Sequence, residues 1–355
     1  MGSGGMTSEQ WVSPESLTMA LKRAGALGDG RVCSVAADNA RSTVLSRIVR
    51  LRVSYEGEAD GAPATLILKT GLPERMTGEW SGGRREVEFY REIAAATPPG
   101  VLPRCFEAEW DETTHRWRLL LEDLGESHQI VTTWPLPPTR ADCEPILTAW
   151  ARFHAHWWDD PRLGRSIGRW DDADALDARF KRLRAKVAEF EERLGDRLPR
   201  ERRELYALLL ERGPRLMERI DGRRGVTIVH GDAHVWNCFV SRDGDADIRL
   251  FDWDSWRLGV AAEDLAYMMA VHWYPDRRRE LEQPLLDVYH AAVCAHGVAG
   301  YGRRALDDDY RWAALWRIMT PVLQAGANIP TVIWWNNFER IHMAVEDLRC
   351  RELLE

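Results

Sequence analysis

The chain has no stretch approaching the ~18 consecutive apolar residues of a membrane-spanning helix, and no charged-then-apolar segment of secretory type opens it. No Cys-x-x-Cys pair occurs. The six cysteines, Cys33, Cys105, Cys143, Cys238, Cys294 and Cys350, are scattered, with no histidine cluster at zinc-site spacing beside them. In 355 residues an even cysteine count makes no disulfide framework by itself, so a reducing, cytoplasmic setting is expected. Nor is there a basic block: 48 lysines and arginines face 56 aspartates and glutamates, and the run Arg200 to Arg203 sits among glutamates. Neither a nucleic acid nor a membrane is therefore an expected partner. A Gly-x-Gly-x-x-Gly loop is also missing, which removes the usual glycine-lined phosphate cradle.

What is present suffices for two lobes. Hydrophobic residues make up 45% and charged ones 29%, ordinary values for a folded globular chain, and the length exceeds one typical domain. Short β-type runs occupy the first third, at Val32 to Val35, Val44 to Tyr55, Thr65 to Thr70, Cys105 to Trp110 and His115 to Leu121; beyond residue 138 the hydrophobic period becomes helical. Ser13 caps a first helix, with Pro14 at its first position and Gly28 as its stop. Met1 to Met6 reads as a tag remnant. The fold class expected is α+β, with a small antiparallel sheet lobe over 7–124 and a larger α-helical lobe over 125–355. Within the second, the charged segment 171–224 reads as two amphipathic helices, and three more helical stretches follow residue 275.

The chemistry centres on Val229-His-Gly-Asp-Ala-His-Val-Trp-Asn-Cys-Phe-Val240, followed by Ile248-Arg-Leu-Phe-Asp-Trp-Asp254. Val226 to Val229, Cys238 to Val240 and Ile248 to Phe251 read as the strands of a small meander, placing Asp232, Asn237 and Asp252 on its loops and ends. Hard oxygen donors of this kind suit Mg2+, which takes one or two carboxylates plus substrate phosphates. Asp-x-x-x-x-Asn followed by a second Asp is also the kinase spacing, a base for the attacking hydroxyl and then two metal ligands. Phosphoryl transfer is the chemistry indicated. Lys69 fits it: a lysine inside the apolar strand Thr65 to Thr70 needs an anion or a carboxylate to offset desolvation. On the next helix, from Gly83 to Ile93, Glu86 shares a face with Phe89, Tyr90 and Ile93 while Glu88 points away, so a Lys69–Glu86 pair is expected.

The His-Gly-Asp-x-x-x-x-Asn loop with Phe-Asp-Trp after it resembles the aminoglycoside phosphotransferase and choline- and ecdysteroid-kinase-like superfamily of small-molecule kinases. The Glu-x-x-Phe-Tyr pattern from Glu86 and the Phe-His-Ala segment from Phe153 resemble it too. The resemblance implies a bilobal protein-kinase-like fold and ATP-dependent phosphorylation of a small-molecule hydroxyl, the acceptor being aminoglycoside-, sugar-, amino-alcohol- or sterol-like. It implies Asp232 as catalytic base, Asn237 and Asp252 as Mg2+ ligands, and Asp264 as a brace for the catalytic loop. It also implies a hinge at Glu122, Asp123 and Leu124 whose backbone meets the adenine edge. Members often use serine and asparagine where protein kinases have the glycine loop, so the polar hairpin Ala36 to Thr43, with the Ser42 and Thr43 hydroxyls, is the candidate phosphate cover; an ordinary turn is the alternative. In the superfamily an insertion such as 171–224 borders the substrate, so a lid stands as a lesser reading of that segment.

His230 is assigned to holding the loop, His154 to the core, and His234 to either the core or the cleft. Most of the 17 tryptophans are core material, but Trp236, Trp273 and Trp334 fall where some of them could border the acceptor and stack on it. Asp254 and Glu263 either receive an amine of the acceptor or cap local turns. Two other classes compete. Gly231-Asp-Ala-His234 matches one element of binuclear metallophosphoesterases, with His230, Asp232 and His234 as ligands, but that class needs an upstream Asp-x-His and a downstream Gly-Asn-His, and neither occurs. A nucleotide-binding pseudokinase is the other, yet Lys69, Glu86, Asp232, Asn237 and Asp252 all appear in order.

Overall fold

The computed structural model describes residues 12–43, 45–72 and 82–355; the expected tag remnant and Val44 lie outside them. The chain forms two compact units, Met1–Gln129 with Phe239–Ser255, and Ile130–Cys238 with Trp256–Glu355. The first unit includes a later segment of the chain, which backbone pairing draws into it. Leu250 N–H donates to the Val101 carbonyl at 2.8 Å and Arg242 N–H to that of Ser127 at 2.9 Å.

In the first unit α1 (Pro14–Arg23) starts where its sequence dictates, Ser13 Oγ accepting the Ser16 N–H at 3.1 Å. It stops earlier than expected, since Gly25 at φ 62, not Gly28, supplies the left-handed residue after the cap. Strands β1 (Arg31–Ser42), β2 (Ser46–Glu56) and β3 (Thr65–Gly71) precede α2 (Gly82–Glu88), which runs into a wider π turn over Phe89–Ile93; β4 (Cys105–Trp110) and β5 (Trp117–Glu122) follow. All pair antiparallel in the order β1-β2-β3-β5-β4. β1 includes most of the segment expected as a loop, with Ala36 to Ser42 laddered against Arg52 to Arg47 and the register shifts taken up at Cys33 and Asp38. Strand alternation then decides what each face carries. Leu51, Val53, Leu66, Leu68 and Leu120 join Leu17 and Leu21 of α1 in one core. Ile67 and Lys69, one residue out of phase, belong to the opposite face.

Further along come β6 (His128–Ile130), α3 (Arg140–His156), α4 (Ala173–Leu194), α5 (Arg200–Leu216) and the single turn α6 (Glu218–Asp221). Then come β7 (Thr227–Val229), β8 (Cys238–Ser241), β9 (Ile248–Leu250), β10 (Arg257–Gly259) and helices α7 (Ala262–Ala266), α8 (Pro275–Ala295), α9 (Arg303–Trp316), α10 (Met319–Gly326) and α11 (Thr331–Asp347). The three central strands do not form one meander: β7 pairs with β10, whereas β8 lies between β6 and β9. Gly231, at φ 84, and a 3-10 turn over Val235–Asn237 redirect the chain between β7 and β8. α3 opens with a Thr139/Asp142 capping box. α4 and α5 are the charged pair, burying Phe180, Val187 and Phe190 on one and Leu205 and Leu209 on the other. Four helices, not three, follow residue 275 among the described residues, because α9 breaks at Arg317 and resumes as α10. All six cysteines are free thiols, and no described helix is long and apolar enough to cross a membrane.

Candidate active site

In the first unit the site starts at Lys69, whose register opposite Ile48 and Leu119 puts it on the sheet face turned from α1. Only 8% of the residue is exposed, so its ammonium needs anions. Two are present: Glu86 of α2, with oxygens at 2.7 and 2.8 Å, and Asp252 at 2.5 Å. Burial works against the charge, but Asp252, Glu86 and the nearby Asp254 outweigh it and hold the ammonium above its usual range. Glu86, fully enclosed, is pushed up by burial and pulled back by Lys69. Asp252 itself is set by its neighbour. Trp253 is buried and stacks on Phe89 beyond α2, ring centroids 4.0 Å apart, while its indole N–H donates to the Leu250 carbonyl at 3.1 Å. Asp252 adopts φ 70, a left-handed conformation that costs energy in a residue with a Cβ and persists where surroundings over-determine it.

The expected hinge follows β5. Glu122 N–H donates to the Arg104 carbonyl and the Leu124 carbonyl accepts from His128 N–H, both at 2.8 Å, so two of the backbone groups assigned to adenine are committed within the protein. Asp123 takes Arg50 Nε at 2.5 Å and the Gly125 N–H at 3.0 Å. Burial raises its carboxyl, but Arg50 and the Gly125 amide carry it below the usual range. Arg50 also reaches Glu126 at 2.9 Å and Asp38 at 3.2 Å. Sequence reasoning missed this arginine; its signal is a charge opposite Ile67, on the same sheet face as Lys69. Ser42 ends β1 exposed. Thr43 closes the hairpin, its Oγ1 accepting the Ser46 N–H at 3.0 Å.

In the second unit Asp264 of α7 is the hub. It is 1% exposed, and its oxygens accept the backbone N–H of His230 at 2.7 Å and of Gly231 at 2.9 Å, with His154 Nε2 at 3.2 Å. Burial opposes its ionisation, but His154, His230 and the loop amide hold its pKa at about 2. His154 meets the Tyr289 hydroxyl at 2.9 Å. His230 is buried edge-on to Trp150, and its Nδ1 accepts the Asp232 N–H at 3.2 Å. Asp232 therefore projects from a braced loop, with 33% of its side chain exposed. Asn237 Nδ2 donates to its backbone carbonyl at 3.0 Å and to its Oδ2 at 3.2 Å, and His234 Nε2 stands 3.5 Å from Oδ2.

Of the expected acceptor residues, Trp236 packs against His234. Trp273 and Trp334 are 2% and 3% exposed, and Trp334 is packed by Phe190 and Arg193. Those two are packed in the helical core. Glu263 accepts the Val260 N–H at 3.1 Å and pairs with Arg257, and Asp254 accepts the Ser255 hydroxyl at 2.8 Å; both do local work, Asp254 adding to the field at Lys69. As to Mg2+, an Asn237 amide that spends Nδ2 on Asp232 turns its Oδ1 the other way, and Asp252 offers a part-exposed carboxylate. Each is a hard oxygen donor of the kind that suits Mg2+. Among the described residues no three His, Cys, Asp or Glu side chains are gathered around a metal-sized site.

Residues 59–315 match a family described as a phosphotransferase enzyme family. No curated protein matches significantly. Solved structures of similar fold include a protein of Ralstonia eutropha JMP134 provisionally assigned as an aminoglycoside phosphotransferase, 14% identical, covering 96% of this chain and 98% of its own, with a TM-score of 0.58. A choline kinase from Cryptosporidium parvum Iowa II is 12% identical, with 96% of each chain covered and a TM-score of 0.55. A mutant aminoglycoside 2′-phosphotransferase-IIIa in complex with GDP is 12% identical, covering 96% and 98%, with a TM-score of 0.51. At these identities the likeness establishes the fold, the bilobal, kinase-like α+β arrangement.

Proposed function

The chain belongs to the phosphotransferase enzyme family, and from that premise we propose that it is an ATP-dependent kinase that moves the γ-phosphate onto a hydroxyl of a small molecule. The observation that supports this most is Lys69, charged and fixed between Glu86 and Asp252, as a phosphate-binding lysine must be. Lys69 takes the nucleotide's phosphate oxygens and Glu86 aims it. Asp232, steadied by the His230 ring, by Asn237 and by the Asp264-braced backbone, accepts the acceptor's proton. As the acceptor oxygen attacks, its new bond to phosphorus forms, the bond to the bridging oxygen breaks, and that electron pair leaves with ADP. Asn237 and Asp252 are the residues that would hold Mg2+, which would supply positive charge to offset that of the phosphates. Ser42 remains the candidate cover for the phosphates, and the Glu122–Leu124 backbone receives the purine through the groups not already bonded. A fold relative's complex with GDP keeps GTP beside ATP as donor, and relatives named for aminoglycosides and choline keep sugars and amino alcohols among the acceptors to be tried.

The test mixes the chain with ATP or GTP, Mg2+ and a panel of hydroxyl compounds, reading nucleoside diphosphate release and the product's mass gain. Acceptor-dependent release is expected, falling about 100-fold or more in Asp232→Asn, the scale of a lost general base. Release that survives that substitution undiminished, or failure to bind either nucleotide, defeats the reading.

A further inference from the structure

Around Asp232 the second unit is aromatic and basic. His234 Nε2 lies 3.5 Å from the carboxylate, so a hydroxyl compound reaching Asp232 meets that ring as well. Behind it stand Trp236 and His272, each with its centroid 5.5 Å from that of His234, and Tyr267 is 4.8 Å from His272. None of these side chains offers a negative charge. His272 is neutral too: burial, then His234, then Arg340 and Arg317 push its imidazole down to about 3.

The charges nearby are cationic and lack carboxylate partners. Arg317 lies 4.7 Å from the Tyr267 ring centroid and donates to the carbonyls of Glu263 and Gly231. Arg340 of α11 lies 4.0 Å over Tyr274, itself 56% exposed. Among the described residues neither arginine forms a salt bridge, and Arg340 Nε, a buried atom, has no hydrogen-bond partner. A buried guanidinium donor left unsatisfied is costly unless something supplies the acceptor. Glu263 and Asp264, the carboxylates that face Arg317, are themselves committed, Glu263 to Arg257 and the Val260 amide and Asp264 to His154 and the loop.

Resting on the kinase reading above, we propose that the acceptor is an anionic hydroxyl compound. Arg340 receives its negative group, carboxylate or phosphate, both of which match the guanidinium fork, and its ring or hydrocarbon face lies against His234 and Trp236. Among the described residues named above, the carboxylate facing an amine-bearing acceptor is Asp232, which is required for the proton.

The test uses one aryl alcohol skeleton in four forms: hydroxy acid, phosphate ester, neutral amide and amino alcohol. Binding is followed without nucleotide by tryptophan fluorescence, and transfer with ATP and Mg2+ by product mass. The better of the two anionic forms is expected to bind and react about tenfold or more better than the amide, the scale of one hydrogen bond to a charged group, with the amino alcohol poorest. Which anion wins separates the carboxylate source from the phosphate source. Arg340→Gln should erase that advantage by raising KM for the anionic forms far more than for the amide, with kcat little changed, and Arg340→Lys should restore part of it. A preference for the amino alcohol, no anion-dependent binding, or an anion preference that Arg340→Gln leaves intact overturns the proposal. Anion binding that Arg340→Gln abolishes, with no Asp232-dependent transfer to any acceptor, upholds the anion site and overturns the kinase reading instead.

Discussion

Asp264 performs no chemistry in the proposed transfer, yet the His230 and Gly231 amides and the His154 ring all bond to it. Its folded pKa of about 2 lies below the ordinary 3.8. A depressed carboxyl contributes stability that is present above pH 3.8 and drains away as pH falls through 3.8 towards 2; the shift corresponds to about 2 kcal/mol at neutrality. Asp264→Asn should therefore lose about 2 kcal/mol in urea unfolding at pH 7, with the gap from wild type closing near pH 2. A gap independent of pH would show that packing, not ionisation, holds the loop. At this scale the sequence is informative where a charge has few places to go. Lys69 and Glu86 can be paired on paper because one interrupts an apolar strand and the other sits on the apolar face of the next helix. Arg50 and Asp123 cannot, since 73 positions separate them and only the sheet register joins them.

Elements impose demands that contradict residue propensities. In an exposed helix, glycine to alanine gains up to about 1 kcal/mol, but at Gly83 an added Cβ would come within 2.2 Å of Trp117 Nε1. Trp117 is 2% exposed and cannot swing aside. Gly83→Ala is expected to lower stability by about 1–3 kcal/mol through overpacking, and to weaken nucleotide binding, because Lys69 Nζ sits 6.0 Å from that indole. A raised melting temperature would refute it. The Phe89–Trp253 stack makes the complementary demand, tying the turn after α2 to the segment that carries Asp252. Trp253→Leu should keep the first unit folded at a cost of about 2 kcal/mol, yet weaken MgATP binding measured by calorimetry well beyond what the melting shift accounts for; unchanged affinity would sever the link. Both contacts join side chains far apart in sequence, which explains why helix and strand positions were legible but these couplings were not. The meander was misread for the same reason: three short apolar runs announce strands, but their partners depend on Gly231 and the turn before Asn237.

For the molecule as a whole, two β-then-α units followed from the change of hydrophobic period, while the return of Phe239–Ser255 to the first unit depended on pairing no local pattern announces. One global property does follow from buried groups. His342 is 1% exposed and bonded to the Tyr206 hydroxyl at 3.2 Å; burial, helped by Arg202 and Arg351, pushes its pKa down to about 3, and His272 is held equally low. Unfolding returns each imidazole to an ordinary value near 6.5, where it takes up a proton. Because the folded value is the lower one, the stability at stake is present above pH 6.5 and is lost as pH falls from 6.5 towards 3, by up to about 1.4 kcal/mol per pH unit for each histidine. Urea unfolding between pH 7 and 5 should thus show a steep decline, and His342→Gln, which can still donate to Tyr206, should lose roughly half of that slope while being less stable than wild type at pH 7. Other titrating groups, Glu86 with its opposite sign included, are common to both proteins and cancel in the comparison. Parallel curves for wild type and His342→Gln would mean that His342 is already protonated in the folded chain, and that the polar seam between α5 and α11 holds a charge rather than a neutral ring.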